Sequence, residues 1–91
     1  MIYITAVHME PSWGSSHEHI AEVRWQNPQS RATGVSSKAA MVGWIANKSG
    51  DARVRDLYGD VQVGVVEANP PYLRTYSDNR YTDNLLSLPR Y

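Results

Sequence analysis

Apolar and polar positions alternate along three stretches of the chain, and a fourth repeats with helical spacing. Ile2, Ile4 and Ala6 alternate with Tyr3, Thr5 and Val7, and the β-branched content of this run predicts a strand with apolar atoms on both faces. Such a strand belongs in the interior of a sheet. Glu10-Pro11-Ser12-Trp13-Gly14-Ser15-Ser16 has turn chemistry, so a hairpin leads to a second strand from about His19 to Trp25. Ala21, Val23 and Trp25 are expected on one face of it, with Ile20, Glu22 and Arg24 on the other. Gln26 to Gly34 is polar, broken by Pro28 and Gly34, and reads as a long loop that moves or serves a function.

Ser36 or Ser37 offers a hydroxyl to cap a helix, and Ala40, Met41, Trp44, Ile45 and Lys48 recur at the spacing that builds one helical face. Lys48 suits the carboxyl end of that helix, and Gly50 is expected to take the left-handed closing position. Ala52 to Arg55 forms a short strand, and Tyr58-Gly59-Asp60 turns the chain. Val61, Val63 and Val65 then mark a strand with one buried face, ended by Asn69-Pro70-Pro71. Tyr72 to Tyr76 is the last strand, Asp78-Asn79 a turn, and Asn84 to Leu88 at most one helical turn. The order predicts an α+β fold, a mainly antiparallel sheet of about five strands with one helix packed on one face, in a single domain spanning residues 1–91.

The last twenty residues read as a packed element. They hold four of the six tyrosines and the run Leu85-Leu86-Ser87-Leu88-Pro89, whereas chain ends are ordinarily polar and loosely held. The element order, Ile4-Thr5-Ala6-Val7 at the start, and Tyr72-Leu73-Arg74-Thr75, Asp78 and Asp83-Asn84-Leu85-Leu86-Ser87-Leu88-Pro89 at the end resemble the small bacterial and bacteriophage family known as domain of unknown function 3892. The resemblance covers nearly the whole chain. It implies a stand-alone small domain, often carried on mobile elements, and no substrate. The segment around Trp13 and the Gln26–Gly34 loop are longer than the resemblance leads one to expect, which makes them places for this chain's own specificity.

Composition narrows the chemistry. The chain has no cysteine, which removes disulfides, thiolate nucleophiles and cysteine-rich zinc sites. Nine basic and nine acidic residues balance, which counts against the net positive field of a non-specific nucleic-acid binder. No apolar run approaches a membrane span, and the expected setting is the cytoplasm. Phenylalanine is absent beside three tryptophans and six tyrosines, so each Trp or Tyr carries a polar handle suited to core edges and binding surfaces.

Three constellations carry candidate chemistry. His17, Glu18 and His19, with His8 opposite, have metal-ligand residue types; on a strand His17 and His19 would share a face. Their place beside a hairpin turn makes a solvated strand end the better reading, and no metal or other cofactor is implied. Arg74, Asp78, Asp83 and Asn84 would clamp the C-terminal segment to the last strand through an arginine–carboxylate fork. Arg24, Arg31, Arg53 and Arg55, with Trp25 and Tyr58, would stack on a single-stranded nucleic acid if they lined one face.

No glycine-rich phosphate loop or nucleophile elbow occurs, so no catalytic residues are assigned. The leading expectation is a non-catalytic binding module for a protein partner or small ligand, using Tyr72, Arg74, Tyr76, Arg80, Tyr81 and Trp13 together with the Gln26–Gly34 loop. A nucleic-acid- or nucleotide-binding domain using Arg24, Arg53, Arg55 and Arg74 is the alternative, and a small metal-dependent hydrolase the third reading. With so little core, a symmetric homodimer through a sheet edge or the tail is favoured over a monomer.

Overall fold

The computed structural model describes residues 1–57, 59–77 and 79–91. Among them are seven strands and one α-helix: β1 (Ile2–Met9), β2 (Ile20–Gln26), β3 (Thr33–Ser37), α1 (Lys38–Lys48), β4 (Ala52–Asp56), β5 (Gly59–Val66), β6 (Tyr72–Ser77) and β7 (Arg80–Thr82). All seven strands form one sheet in the order β3-β2-β1-β4-β5-β6-β7. The β1–β4 pair is parallel and the other pairs are antiparallel. The fold is α+β with one helix against the sheet, but the sheet has seven strands where five were expected. The two strands beyond expectation lie at the edges. Thr-Gly-Val-Ser-Ser of β3 and Arg-Tyr-Thr of β7 bury little, and it is their backbone ladders that make them strands.

β1 does not keep simple alternation. Ile4 lies opposite Trp25 and Ala6 opposite Arg24, so Thr5 is an extra residue that bulges the strand. The bulge shifts the phase by one, and Val7 and Met9 turn into the core with Ile2 and Ile4. Val7 is therefore a core residue and not a partner of Tyr3 and Thr5. A second irregularity, between His8 and Met9, likewise brings Ile20 inward beside Val23. Ala52 and Val54 of β4, Val61 and Val63 of β5, and Leu73 of β6 complete the buried face of the sheet.

α1 follows β3 with no residue between, and Ser37 serves both elements. It is the last residue of β3, paired with Glu22, and its hydroxyl accepts the Ala40 N–H at 3.1 Å as the helix cap. Met41 and Val42 bury themselves on the sheet, with Trp44 and Ile45 at the margin. Ser49, and not Gly50, takes the left-handed closing position, with φ of 53°. Gly50 has a different duty: a side chain there would lie 2.3 Å from the Trp44 indole, so the missing Cβ is what seats the ring. The Gln26–Gly34 segment is a compact hairpin connection. The Asn27 side chain accepts the N–H groups of Gln29 and Ser30, and Arg31 donates its own N–H to the Asn27 carbonyl.

The C-terminal segment folds back into a fork in the sheet. β1 and β4 pair over Ile2–Tyr3 and Ala52–Arg53 only, then separate. Past that point Val7 donates its N–H to the Pro89 carbonyl at 3.0 Å, and Tyr91 donates to the Val7 carbonyl at 3.1 Å, a parallel bridge centred on Arg90. Leu85 fills the core beneath, and Leu86 and Leu88 pack beside it. Asn84 donates to the Asp56 carboxylate at 3.3 Å, and Arg90 to the Gly14 carbonyl at 3.0 Å, so the segment spans from β4 to the β1–β2 loop.

Because Leu85 is fully buried, Leu85→Ala is expected to cost about 2–5 kcal/mol of stability in urea unfolding, while Leu57→Ala, at a side chain 93% exposed, leaves the midpoint essentially unchanged.

Candidate functional site

β6 and β7 form a hairpin whose pairing puts Tyr76 opposite Tyr81 and Ser77 opposite Arg80. On its other side Tyr76 faces Gln62 of β5, and its ring lies across Gly64, where a Cβ would come within 2.6 Å of the ring. A glycine inside a valine-rich strand marks this kind of close approach. Tyr81 is 57% exposed and Tyr76 is more than one-third exposed. Together they border an open groove of about 670 Å³ whose opposite wall is the last turn of α1, including Ile45, Ser49 and Gly50. Arg80 is exposed at the hairpin end, and Tyr72 is half-buried at the far end of β6, opposite Val66.

Arg74 is the polar centre of this hairpin. Its guanidinium lies 5.1 Å from the centre of the Tyr81 ring and donates to the Asp83 carboxylate at 3.0 Å and to the Thr82 carbonyl at 3.4 Å. Thr75 beside it is fully buried. Its hydroxyl donates to the Thr82 carbonyl at 3.1 Å and accepts from the Thr82 hydroxyl at 2.7 Å. Of the four residues expected in a clamp, Arg74 and Asp83 meet each other, Asn84 meets Asp56, and Asp78 lies outside the described residues.

Sequence reasoning missed the third member of this cluster. His17, only 7% exposed, points its Nε2 toward Asp83 at 3.8 Å, beyond hydrogen-bond length, and that nitrogen has no partner. Burial pushes the imidazole below its ordinary pKa, the Arg74 charge pushes it the same way, and Asp83 opposes them. At neutral pH the ring is uncharged. Arg74 and Asp83 lie 57 and 66 positions along the chain from His17, and no local spacing encodes the contact.

The histidine cluster expected on a strand does not exist as such. His17-Glu18-His19 is a 3-10 turn, which sends the two imidazoles apart. His19 Nδ1 lies 3.3 Å from the Ser16 hydroxyl and its ring packs edge-on to Trp13, while His8 bonds the Tyr91 main-chain oxygen. Among the described residues no three His, Cys, Asp or Glu side chains gather as a metal site. Trp13, 80% exposed, belongs to this β1–β2 loop and does not line the Tyr76 groove.

The arginines are likewise dispersed and engaged. Arg24 lies over the Tyr91 ring and Arg55 over the Tyr3 ring. Arg53 holds Asp51 with two hydrogen bonds of 3.0 and 2.9 Å, which with the Gln62 amide lowers the Asp51 pKa. Among the described residues, then, Arg24, Arg53, Arg55 and Arg74 form no contiguous row of free cations. No described helix is long and apolar enough to cross a membrane.

The buried His17 gives a pH signature. Its folded pKa lies below the unfolded value of about 6.5, so the unfolded chain takes up the proton first. Stability is then level well above that value and falls as the pH drops through it toward the lower folded pKa. Urea midpoints should follow this course in the wild-type chain and lose most of the slope in His17→Gln; a wild-type midpoint flat across the window would refute it.

No curated protein and no solved structure matches the chain. A family described as "Protein of unknown function (DUF3892)" matches residues 3–89. That span takes in every strand but the first residue of β1, together with the Asp83-to-Pro89 segment that fills the fork. On this match over nearly its full length, the chain belongs to the DUF3892 family.

Proposed function

We propose that the protein is a non-catalytic binding module, an accessory protein of a phage or other mobile element acting in the cytoplasm, whose partner docks in the groove beside Tyr76 and Tyr81. The observation that carries this reading is the pairing of two partly exposed tyrosines across neighbouring strands, bordering an open groove. Tyrosine offers large contact area with few rotamers to freeze, and such residues carry much of the energy of protein interfaces. Arg74 and Asp83 then act beside the tyrosines, as a structural clamp that fixes the hairpin, with His17 buried against them. A small ligand is a weaker fit, because the groove is open and partly polar. The mobile-element setting rests on the family resemblance alone.

The parts of a hydrolase lie in the wrong places. His17 is buried, the Thr75 and Thr82 hydroxyls are bonded to each other, and the Ser16–His19 contact is a local cap of the 3-10 turn. Nucleic-acid binding loses support from the carboxylate and aromatic partners that hold the arginines.

The test is capture of cellular partners by the wild-type chain and by the double variant Tyr76→Ala, Tyr81→Ala. Loss of about 2 kcal/mol or more of binding to a captured partner, by a variant whose circular dichroism shows it still folded, is the expected result. Equal retention by both chains would sink the reading.

Self-association is proposed through β3. The tail is used inside its own chain, whereas β3 is a sheet edge with Val35 half-exposed. Light scattering should give a dimer that Val35→Lys converts to a folded monomer. A monomeric wild type would end this part of the proposal.

A further inference from the structure

β5 is longer than the strand beside it. Val63 to Val66 pair with Thr75 to Tyr72 of β6, but on the opposite edge β4 pairs only as far as Gln62. The chain enters β4 from α1 through Gly50 and Asp51, so nothing of β4 accompanies the last residues of β5. In an antiparallel ladder alternate residues direct N–H and C=O to opposite edges. Val63 and Val65 therefore point their backbone groups away from β6; the Arg53–Gln62 pair brings the Val63 N–H to the Ala52 carbonyl, which leaves the Val63 carbonyl and both groups of Val65 turned to this side beyond the end of the β4 ladder.

This half-edge is not an ordinary surface edge. It forms one wall of the Tyr76 groove, and the last turn of α1 forms the other. An added strand sits about 4.8 Å from its neighbour and advances about 3.3 Å per residue. A groove of about 670 Å³ accommodates a short extended segment. The bare backbone of Gly64 lets the Tyr76 ring lie against β5 beside this edge.

The groove also has a sign. Glu67 is the one charged side chain among its described lining residues. The N–H groups of Ser49 and Gly50 both go to the Trp44 carbonyl, and Lys48 in the last turn of α1 offsets the negative end of the helix dipole, so the sign of the groove is set by Glu67. We propose that the groove takes an extended segment of a partner protein as an added strand on the short edge at Val63–Val65, with a basic side chain of that segment directed to Glu67. This rests on the binding reading above and specifies the form and charge of the partner. β3 also has a free edge, but no second wall stands beside it to select side chains.

The test uses the full 15N-labelled chain and three acetylated, amidated hexapeptides: alternating valine and lysine, the same peptide N-methylated along one edge, and a version with glutamate for lysine. The parent peptide should slow exchange of the Val65 amide by about tenfold at saturation, with the Gly64 and Val66 amides, already paired with β6, little changed. The N-methylated peptide should give no protection. The glutamate peptide should bind about tenfold more weakly, a difference that Glu67→Gln should erase while leaving backbone protection in place.

If the N-methylated peptide shifts Tyr76 and Tyr81 as strongly as the parent, strand addition is overturned and the groove remains a binding surface. Protection confined to β3, or an unperturbed groove at millimolar parent peptide, also overturns the proposal. The double tyrosine variant decides separately whether the groove binds a natural partner at all.

Discussion

The bridge between Val7 and the segment around Arg90 is the contact on which this fold depends. β1 is an interior strand, yet β4 accompanies it for only two residues, and an unpaired backbone group buried there costs about 1–3 kcal/mol. Pro89 and Tyr91 remove that cost by serving as a short parallel partner for Val7. Leu85 then enters the core, and Arg90 and His8 tie the end of the chain to the β1–β2 loop and to β1. A segment that looks like a tail in sequence order is an interior piece of the sheet in space. Its load of leucine and tyrosine follows from that position.

The charged residues show a related economy of placement. Arg24, Arg55 and Arg74 each lie against a tyrosine ring, and Arg53 and Arg74 are also held by carboxylates. Arg53 and Arg74 are thus balanced by carboxylates in contact, Arg24 and Arg55 by ring faces. Around the groove the one charged side chain among the described lining residues is Glu67. The chemistry available there differs from what overall composition suggests.

How much of this was legible in the sequence depended on how local each cause is. The valine alternation of β5 and the helical spacing of α1 are local, and both elements formed where those patterns lie. The Thr5 bulge was not legible, because a one-residue phase shift leaves apolar residues at both phases. β3 and β7 escaped notice because an edge strand is held by its neighbour's backbone and needs no apolar pattern of its own. The tail's packing was readable from its composition, but its place between β1 and β4 was not. His17 was assigned to a strand with His19, and only the long return of the chain brings it to Asp83. Gly64 and Gly50 were the overlooked signals. Each stands where a large ring needs bare backbone, and together they outline both walls of the groove.

The double use of Ser37 has a consequence for how the edge of the sheet keeps its alignment. β3 has no apolar face to reject a slip against β2, and within the sheet its register is marked by Trp25, whose ring lies over Gly34 and whose indole N–H donates to the Ser36 hydroxyl at 3.0 Å. Because α1 begins without a linker, sliding β3 by one residue would carry the helix with it. The Ser37 hydroxyl would leave the Ala40 amide, and Met41 and Val42 would be dragged along their seat on the sheet. The helix core contacts thus act as a second gauge for the edge strand, holding from outside the sheet the register that Trp25 marks within it.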